Sequence, residues 1–486
     1  MSALAGHRRV ALVAAVTALF ALMCPVWPVA TAHQGVRPPG VPPPVDLEKL
    51  PTGEVVNPPY LVHNRENEQI GPPERTAACA PRATGSVAAT AATPLAQRQL
   101  GIGRVHQVAT GHDQVVAVID SGVNPHPRLT GRLFHGGDYL ENRPELFDCD
   151  GHGTAVAGII AAAPDPTTGF IGVAPEAKIL SIRQASRFYS VPVRAATGEL
   201  TRIPAGDTVS MARAVMRAVQ LGATVINISE AACFPAEPDQ VNAPDLQAAV
   251  HHAVASNVVV VAAAANEDDQ CEQNVPGSVT TISSPGWFDD DVLTVAATDE
   301  RREAAPFSIR GPWVDVAAPG TDITSLDAAG PGLTTELVDE RGQRMPLNGT
   351  SFAAPYVAGL AALVRQKFPQ LTAREVMHRI EQTTQHAAGP GGQNEALGWG
   401  VINPMAALTD VVPGERGPGP QPSAGPTHLE GLRLEPPDNP LPRTVALAGS
   451  AAALGLLGLT LLVVYTLKWH QRNRAQRNRA QRNRTR

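Results

Sequence analysis

Residues 348–359 read Asn348-Gly349-Thr350-Ser351-Phe352-Ala353-Ala354-Pro355-Tyr356-Val357-Ala358-Gly359, and no other stretch of the 486-residue chain says more about its fold. They place a serine where a helix of small residues would begin. The free backbone N–H groups and the positive dipole end of such a helix suit a developing oxyanion. Because Gly349 has no Cβ, a substrate can come close to the backbone there. The stretch predicts a nucleophilic Ser351, although a Gly-Thr-Ser sequence can also be an ordinary helix cap.

Two upstream segments supply the groups that a serine nucleophile needs. The apolar, β-branched run 115–119 is typical of a buried parallel strand, and it ends in Asp120 followed by Ser121-Gly122. Further along, Asp150-Gly151-His152-Gly153-Thr154 places a histidine between glycines at the start of a second small-residue helix. Alone, an aspartate at a strand end is often a turn residue, and a lone histidine is often structural.

Together, the segments around Asp120, His152 and Ser351 closely resemble the three signature segments of subtilisin-like serine proteases. They also occur in the subtilisin order, with about 30 residues between the aspartate and the histidine. The resemblance covers about residues 95–410. It implies that Ser351 is the nucleophile, that His152 is the general base and then the acid, and that Asp120 orients the imidazole.

The same resemblance implies a donor for the oxyanion. Asn266 follows the apolar run 258–265, which is typical of another buried strand. In subtilisins an asparagine after such a strand donates its side-chain N–H to the oxyanion, so Asn266 takes that role here. A turn residue is the alternative interpretation. Ala265 stands where family members commonly have glycine.

The resemblance further implies the walls of the pocket for the residue before the scissile bond. The matching residues are Ser229, Glu230, Ala231, Ala263, Ala264 and Ala265. Ala231 and Ala265 each place a methyl group where the family often has glycine. Because extra methyl groups narrow a close-packed pocket, we expect a preference for a small residue such as alanine.

The pattern of apolar residues along residues 95–410 predicts an α/β fold. Strand-like runs occupy 115–119, 177–182, 223–228, 258–263 and 292–296. Helix-like runs occupy 152–162, 208–221, 244–256, 351–367 and 372–382. This alternation predicts a central mainly parallel sheet with helices on both faces and catalytic groups at the carboxyl ends of the strands. The resemblance implies that this sheet has the subtilisin-like three-layer fold. Residues 184–207 and 327–346 have the character of irregular insertions.

The two ends of the chain predict where the protein is found. Residues 1–32 combine a basic start, an apolar run and a small-residue cleavage site, which are the parts of a secretory signal peptide. Residues 445–467 carry no charge and are long enough to span a bilayer. The arginine-rich residues 468–486 predict a cytoplasmic tail rather than a nucleic-acid patch. The sequence therefore predicts a single-pass protein of the cell membrane, with its catalytic domain outside and its C-terminus in the cytoplasm.

Proline-rich segments connect the predicted domain to these ends. Residues 33–94 show no sustained periodicity, so we expect an extension that wraps over the catalytic body rather than a folded, removable pro-domain. Residues 411–443 have the composition of a semi-rigid stalk.

Of the 5 cysteines, one lies in the predicted signal peptide and four remain in the exported part: Cys79, Cys149, Cys233 and Cys271. An even number outside the cytoplasm suggests two disulfides, with three possible pairings. Cys79 lies in the extension and Cys149 just before the His152 helix, whereas Cys233 and Cys271 each follow a predicted strand. We therefore expect the pairs Cys79–Cys149 and Cys233–Cys271.

Charge and cysteine spacing limit the partners. The net charge is −6, and without the basic tail and the signal-peptide arginines it becomes about −16, so the exported part will not seek nucleic acid. No cysteine pair has metal-ligand spacing, and we expect neither a metal nor a cofactor.

The whole order of segments resembles the mycosins, the membrane-anchored subtilisin-like proteases of type VII secretion systems. Their resemblance implies limited processing of exported proteins, with secretion-complex components and the membrane as further partners. It leaves two functions open, a working endopeptidase and a mainly structural subunit whose proteolysis is dispensable for secretion.

Overall fold

Apolar, β-branched segments form the centre of a nine-stranded sheet in the computed structural model, which describes residues 41–51, 67–80, 92–195, 197–236, 243–415 and Lys468. The strands are β1 (Asn67–Gln69), β2 (Glu74–Arg75), β3 (Val115–Asp120), β4 (Leu133–Asp138), β5 (Lys178–Arg183), β6 (Ser186–Ala195), β7 (Leu200–Ala205), β8 (Val225–Ile228), β9 (Ala232–Pro235), β10 (Val259–Ala263), β11 (Thr281–Ser284), β12 (Leu293–Thr298), β13 (Val316–Pro319), β14 (Ser325–Leu326), β15 (Leu333–Thr334), β16 (Glu336–Val338), β17 (Arg344–Pro346), β18 (Gln385–His386) and β19 (Gly400–Val401).

The α-helices within the described residues are α1 (Leu95–Leu100), α2 (Ile102–Val105), α3 (His152–Ala161), α4 (Thr208–Gln220), α5 (Pro244–Ala255), α6 (Thr350–Lys367), α7 (Ala373–Gln382) and α8 (Pro404–Thr409). All of the strands and helices that the periodicity predicts are present, with bounds that differ by one or two residues. Capping explains two of the helix starts: the Asp207 and Thr372 side chains each accept the backbone N–H three residues later.

The large sheet has the strand order β18-β19-β13-β12-β10-β8-β3-β5-β4, and all of its pairs are parallel except β18 with β19. Helices α3 and α6 pack together against it, as do α4 and α5. The expected α/β fold with a mainly parallel sheet is therefore confirmed. Its central strands β3, β8 and β10 end side by side, which brings the segments that follow them to one edge.

The expectation of irregular insertions is wrong, because both segments contain β-hairpins. Strands β6 and β7 form a long hairpin within residues 184–207, and β16 pairs with β17 within residues 327–346. Residues on β6 such as Phe188 and Val193 are buried against a small core of their own. Part of that core comes from Ala77 and Cys79, far away in the sequence, so no local apolar pattern indicates it.

The described parts of the N-terminal extension lie along the catalytic body. Strands β1 and β2 both pair with β6, so that β1, β2, β6 and β7 form a four-stranded unit, called here the extension sheet. Nearer the N-terminus, Gln247 on α5 donates a hydrogen bond to the Pro43 carbonyl at 2.6 Å.

The predicted signal peptide (1–32), membrane span (445–467) and nearly all of the stalk and basic tail lie outside the described residues. Within the described part of the chain, no helix is both long and apolar enough to cross a membrane. Lys468 is helical and exposed and belongs to a separate unit of the chain.

Candidate active site

The loop that leads into α3 carries His152 to the end of strand β3. Gly151 has φ +81°, a left-handed conformation that favours glycine, and it turns the chain into the helix. A Cβ on Gly153 would lie 2.0 Å from the Gly122 carbonyl oxygen. Only glycine at position 153 therefore allows the His152 helix to approach the turn after Asp120.

Asp120 and His152 form a buried ion pair. The His152 Nδ1 and an Asp120 carboxylate oxygen (Oδ1) are 2.8 Å apart, and the Asp120 side chain is 0% exposed. The Ser121 backbone N–H donates to the same oxygen at 2.7 Å, which fixes the carboxylate. The imidazole packs on the Phe352 ring, with ring centroids 5.0 Å apart. With Nδ1 engaged in this way, Nε2 is the nitrogen left to exchange a proton with a nucleophile.

Ser351 lies in the first turn of α6, where it is 8% exposed. Pro355 has no backbone N–H and cannot make the helical hydrogen bond to the Ser351 carbonyl. The Ser229 hydroxyl donates to that carbonyl instead, at 2.8 Å. This bond satisfies a buried acceptor and ties the segment after β8 to the helix that carries Ser351.

Asn266 and Gly349 lie beside Ser351 in an arrangement suited to an oxyanion. The Asn266 side-chain oxygen accepts hydrogen bonds from the Thr350 backbone N–H (2.9 Å) and hydroxyl (3.1 Å). The amide is thereby oriented with its Nδ2 donor toward Gly349. A Cβ built on Gly349 would lie 2.9 Å from Ser351 Oγ and 3.3 Å from Asn266 Nδ2. The space between nucleophile and donor is open because residue 349 has no side chain.

Charges around His152 favour its protonated form. Burial by itself lowers the pKa of His152, but the charge and hydrogen bond of Asp120 outweigh it, and Glu230 adds to them. Together they raise the pKa of His152 to about 9, although Arg187 acts in the opposite direction. His152 therefore becomes a neutral base mainly as the pH rises toward 9.

Asp120 is fully buried next to His152, and His152 and Ser351 line a cleft with a volume of about 340 Å³. Five of the six residues predicted for the substrate pocket line it, namely Ser229, Glu230, Ala231, Ala263 and Ala265. Ala264 does not: it is fully buried and its N–H bonds the Val295 carbonyl. Ala264 differs from Ala263 and Ala265 because successive residues at the end of a strand point to opposite sides. The pocket residues stay a prediction.

Ala265 adopts φ +79°, a left-handed conformation that is uncommon for residues with a Cβ. A glycine would adopt this conformation without strain, so the Ala265 methyl group is held in the cleft at some cost in backbone strain.

Both insertions contribute walls to the same cleft. Pro204, Ala205 and Gly206 come from the β6–β7 hairpin and its exit, and Leu337 and Met345 come from the β16–β17 hairpin. The extra hairpins therefore enclose the catalytic groups.

Asp148 is a structural residue of the site that sequence reasoning missed. Its buried carboxylate accepts the Ser121 hydroxyl (2.9 Å) and the backbone N–H groups of Gly151 (2.8 Å) and Thr154 (2.9 Å). It thus links the turn after Asp120 to the start of the His152 helix. An aspartate a few residues before a glycine-rich helix start is a recognisable capping signal, which could have indicated it.

The cysteines are joined as Cys79–Cys149 and Cys233–Cys271, the same two pairs that the sequence predicts. The first connects the extension to the loop before α3. The second borders the cleft, next to Ala265 and Ala231.

One group of described side chains is close enough together to hold a metal ion. It consists of Asp120, His152 and Glu230, whose ligand atoms all lie within 4.8 Å of one another. Because Asp120 and His152 already share a hydrogen bond, we assign them to proton transfer.

The fold and this site define a class of enzyme, and comparison with known proteins agrees. The sequence profile of the subtilase family (Peptidase_S8) matches residues 111–400. The chain therefore belongs to the subtilases and is a subtilisin-like serine peptidase.

Closer relatives narrow the assignment. Mycosin-4 of Mycobacterium tuberculosis is 40% identical over 387 residues, which cover 76% of this chain and 79% of that protein. The crystal structure of MycP1 from Mycobacterium smegmatis matches with a TM-score of 0.67 and 37% identity, over 78% of this chain and 97% of that one. A chain in the structure of an intact ESX-5 inner membrane complex matches with a TM-score of 0.67 and 34% identity, over 87% and 99%. Within the subtilases, the chain belongs to the mycosins.

Proposed function

We propose that this mycosin is a membrane-anchored endopeptidase that cleaves exported proteins and belongs to a type VII secretion membrane complex. The observation that carries the catalytic part is a cleft lined by Ser351, His152 and Asn266, with Asp120 hydrogen-bonded to His152. The secretion role is supported by its similarity to a chain of the ESX-5 inner membrane complex.

In the proposed mechanism, Ser351 Oγ attacks the scissile carbonyl carbon while His152 Nε2 takes the hydroxyl proton. Asp120 holds the imidazole through Nδ1 and stabilises the positive charge that forms on the ring. The developing oxyanion occupies the space above Gly349 and accepts hydrogen bonds from Asn266 Nδ2 and the N-terminus of α6. His152 then gives its proton to the leaving amine as the C–N bond breaks, and water releases the acyl group by the reverse sequence.

The anchor and the topology belong to the proposal as well. Residues 445–467 would form one membrane-spanning helix, with residues 468–486 on the cytoplasmic side and the catalytic domain outside. The uncharged span and the basic tail support this arrangement. Hairpin walls on both sides of the cleft support restricted cleavage of a few exported substrates rather than general degradation.

A second function has its own support. The extension sheet lies outside the large sheet, and its strands β1 and β2 contribute no residue to the cleft, yet a disulfide connects the extension to the body. Such an added surface suits a mainly structural subunit, in which proteolysis is dispensable for secretion.

One substitution separates the two functions. Ser351→Ala should abolish labelling by a fluorophosphonate and leave the fold intact, since alanine is small and favours helix. Secretion should then be compared in three strains: wild type, Ser351→Ala and a full deletion.

Impaired secretion in both mutant strains would support processing as the essential role. Normal secretion with Ser351→Ala and loss only in the deletion would favour the structural role. Undiminished labelling of Ser351→Ala would contradict the assignment of the nucleophile.

A further inference from the structure

Glu230 places a second carboxylate beside the catalytic histidine. It follows β8 by two residues, and the neighbouring Ser229 is bonded to the Ser351 carbonyl, so the segment has a defined position. The ligand atoms of Glu230, Asp120 and His152 all lie within 4.8 Å of one another. Among the described residues, no hydrogen-bond donor is directed at the Glu230 carboxylate. The half-buried Glu230 carboxyl group therefore interacts with its charged neighbours through space rather than through a hydrogen bond.

The charged groups around this pair come from several elements. Asp120 ends β3 and bonds His152. Arg187, on β6, is a cation that acts on both His152 and Glu230. Asp150, in the loop before α3, accepts the Ser186 hydroxyl (2.5 Å) and the Arg187 N–H (2.8 Å). Burial, with the charge of Asp148, raises the pKa of Asp150 to about 7.

His152 thus has two carboxylates within reach and one cation opposing them. Burial raises the pKa of the Glu230 carboxyl and Asp120 raises it further, whereas His152 lowers it. The Glu230 carboxylate and the His152 imidazolium consequently stabilise each other's charged forms. Meanwhile no hydrogen bond joins Ser351 Oγ to His152 in the described part of the chain. In the free enzyme His152 therefore contacts Asp120 directly, with the Glu230 carboxyl group within 4.8 Å, and makes no hydrogen bond to the nucleophile.

We propose that Glu230 is a positioning residue that keeps His152 protonated in the free enzyme and so confines efficient catalysis to alkaline pH. This proposal rests on the proposed roles of His152 and Ser351. A protonated imidazole cannot accept the Ser351 hydroxyl proton, so acylation waits until the imidazole has lost its own proton to solvent.

The same carboxylate should help once the reaction has begun. When Ser351 attacks, its proton moves to His152 and the imidazole becomes positively charged, and a nearby anion stabilises that charge. Removing the Glu230 charge should therefore speed the reaction near neutral pH and slow it at high pH. A purely structural role predicts a loss of similar size at every pH.

The test is the rate of fluorophosphonate labelling from pH 5 to pH 10.5 for the full-length protein and for Glu230→Gln. We expect the rising limb of the wild-type profile to lie near pH 9 and that of Glu230→Gln to move down by about one unit. Labelling at pH 7 should then increase roughly fivefold to tenfold, since one pKa unit changes the neutral fraction about tenfold. The plateau at high pH should fall at least twofold.

Two controls define the effect. Glu145→Gln removes an equal charge from an exposed carboxylate outside the cleft and should keep the wild-type profile. Glu230→Asp keeps the negative charge, so its pH profile should lie close to that of the wild type. In a Ser351→Ala background, NMR titration of His152 with and without Glu230→Gln measures the same shift without any need for activity.

The proposal would be overturned if Glu230→Gln left both the rising limb of the pH–labelling profile and the NMR titration midpoint of His152 unchanged. A loss of labelling of the same size at every pH would also overturn it. If instead Ser351→Ala were labelled as fast as wild type, the proposed function would fail, and the His152 titration would still test Glu230.

Discussion

The catalytic centre and the extension sheet are held by different forces. At the centre, the Gly153 backbone packs against the Gly122 carbonyl because residue 153 has no side chain, and Asp120 is entirely buried. The extension sheet is tied down by a disulfide and by exposed charges, such as the Arg202–Glu74 pair, whose side chains are 43% and 57% exposed. Exposed ion pairs contribute little to stability, whereas close packing is intolerant of change. Substitutions at the centre should therefore affect chemistry, and substitutions at the extension sheet should affect attachment.

The largest effect should come from the oxyanion donor. Asn266→Ala should lower kcat by about 10²–10³, because the developing charge loses its side-chain N–H. Steady-state kinetics on a peptide substrate measure the loss. Asn266→Asp is the matched control, since it keeps an acceptor for the Thr350 N–H and replaces the donor by a carboxylate oxygen. Near-normal kcat in Asn266→Asp would mean that Asn266 acts by supporting α6 rather than by binding the oxyanion.

Next comes the attachment of the extension sheet. Replacing both Cys79 and Cys149 by serine should lower the free energy of unfolding by about 2–4 kcal/mol, since the bridge closes a loop of 70 residues. Thermal unfolding with and without a reductant measures it. Labelling of Ser351 at 25 °C should remain within twofold of wild type, because this bridge does not line the main cleft.

The second bridge offers a direct contrast. The same double replacement at Cys233 and Cys271 should reduce labelling as well as stability, because Cys271 lies in the cleft wall. If both double replacements reduced the labelling of Ser351 equally, the proposed difference between the catalytic centre and the extension sheet would be contradicted.

The smallest effect should be seen at the pocket wall. Ala265→Gly removes the backbone strain of the positive φ, but it also raises the conformational entropy of the unfolded chain. Because the two effects oppose each other, the free energy of unfolding should change by less than about 1 kcal/mol. Cleavage after residues larger than alanine should increase by up to about tenfold, because a methyl group that narrows the slot is removed. A peptide library read by mass spectrometry measures this preference.

Ala263→Gly is the comparison for that variant, since Ala263 lies in a regular strand, where glycine should lower stability without relieving strain. An unchanged preference in Ala265→Gly would contradict the narrow-pocket hypothesis.

The pH dependence of stability gives a further difference between the catalytic centre and the extension sheet. The raised pKa of His152 favours its protonated form in the folded protein. The stabilisation from its pair with Asp120 is therefore complete below about pH 6.5 and is lost as the pH rises through about 9. The strands of the extension sheet contain no histidine and therefore no such pair.

Short motifs with a fixed local geometry were predictable from the sequence. Asp120, His152 and Ser351 each lie where a strand or helix begins or ends, and the apolar runs around them have unambiguous periods. The β6–β7 hairpin was not predictable in the same way, because the residues that cover Phe188 come from the extension. The sequence did not show which of Ala263, Ala264 and Ala265 face the cleft, because neighbouring residues at the end of a strand point to opposite sides.

The sequence by itself determined the fold class and the family, and it predicts the nucleophile, the base and the orienting acid, because these depend on local periodicity and on residues adjacent in the chain. Only the tertiary structure decided that Glu230 lies beside His152, that Asp148 links two loops, and that the added hairpins border the cleft. Each of these depends on segments that meet in space after the sheet has formed. No pattern within one segment specifies such distances, because they result from the packing of several segments at once.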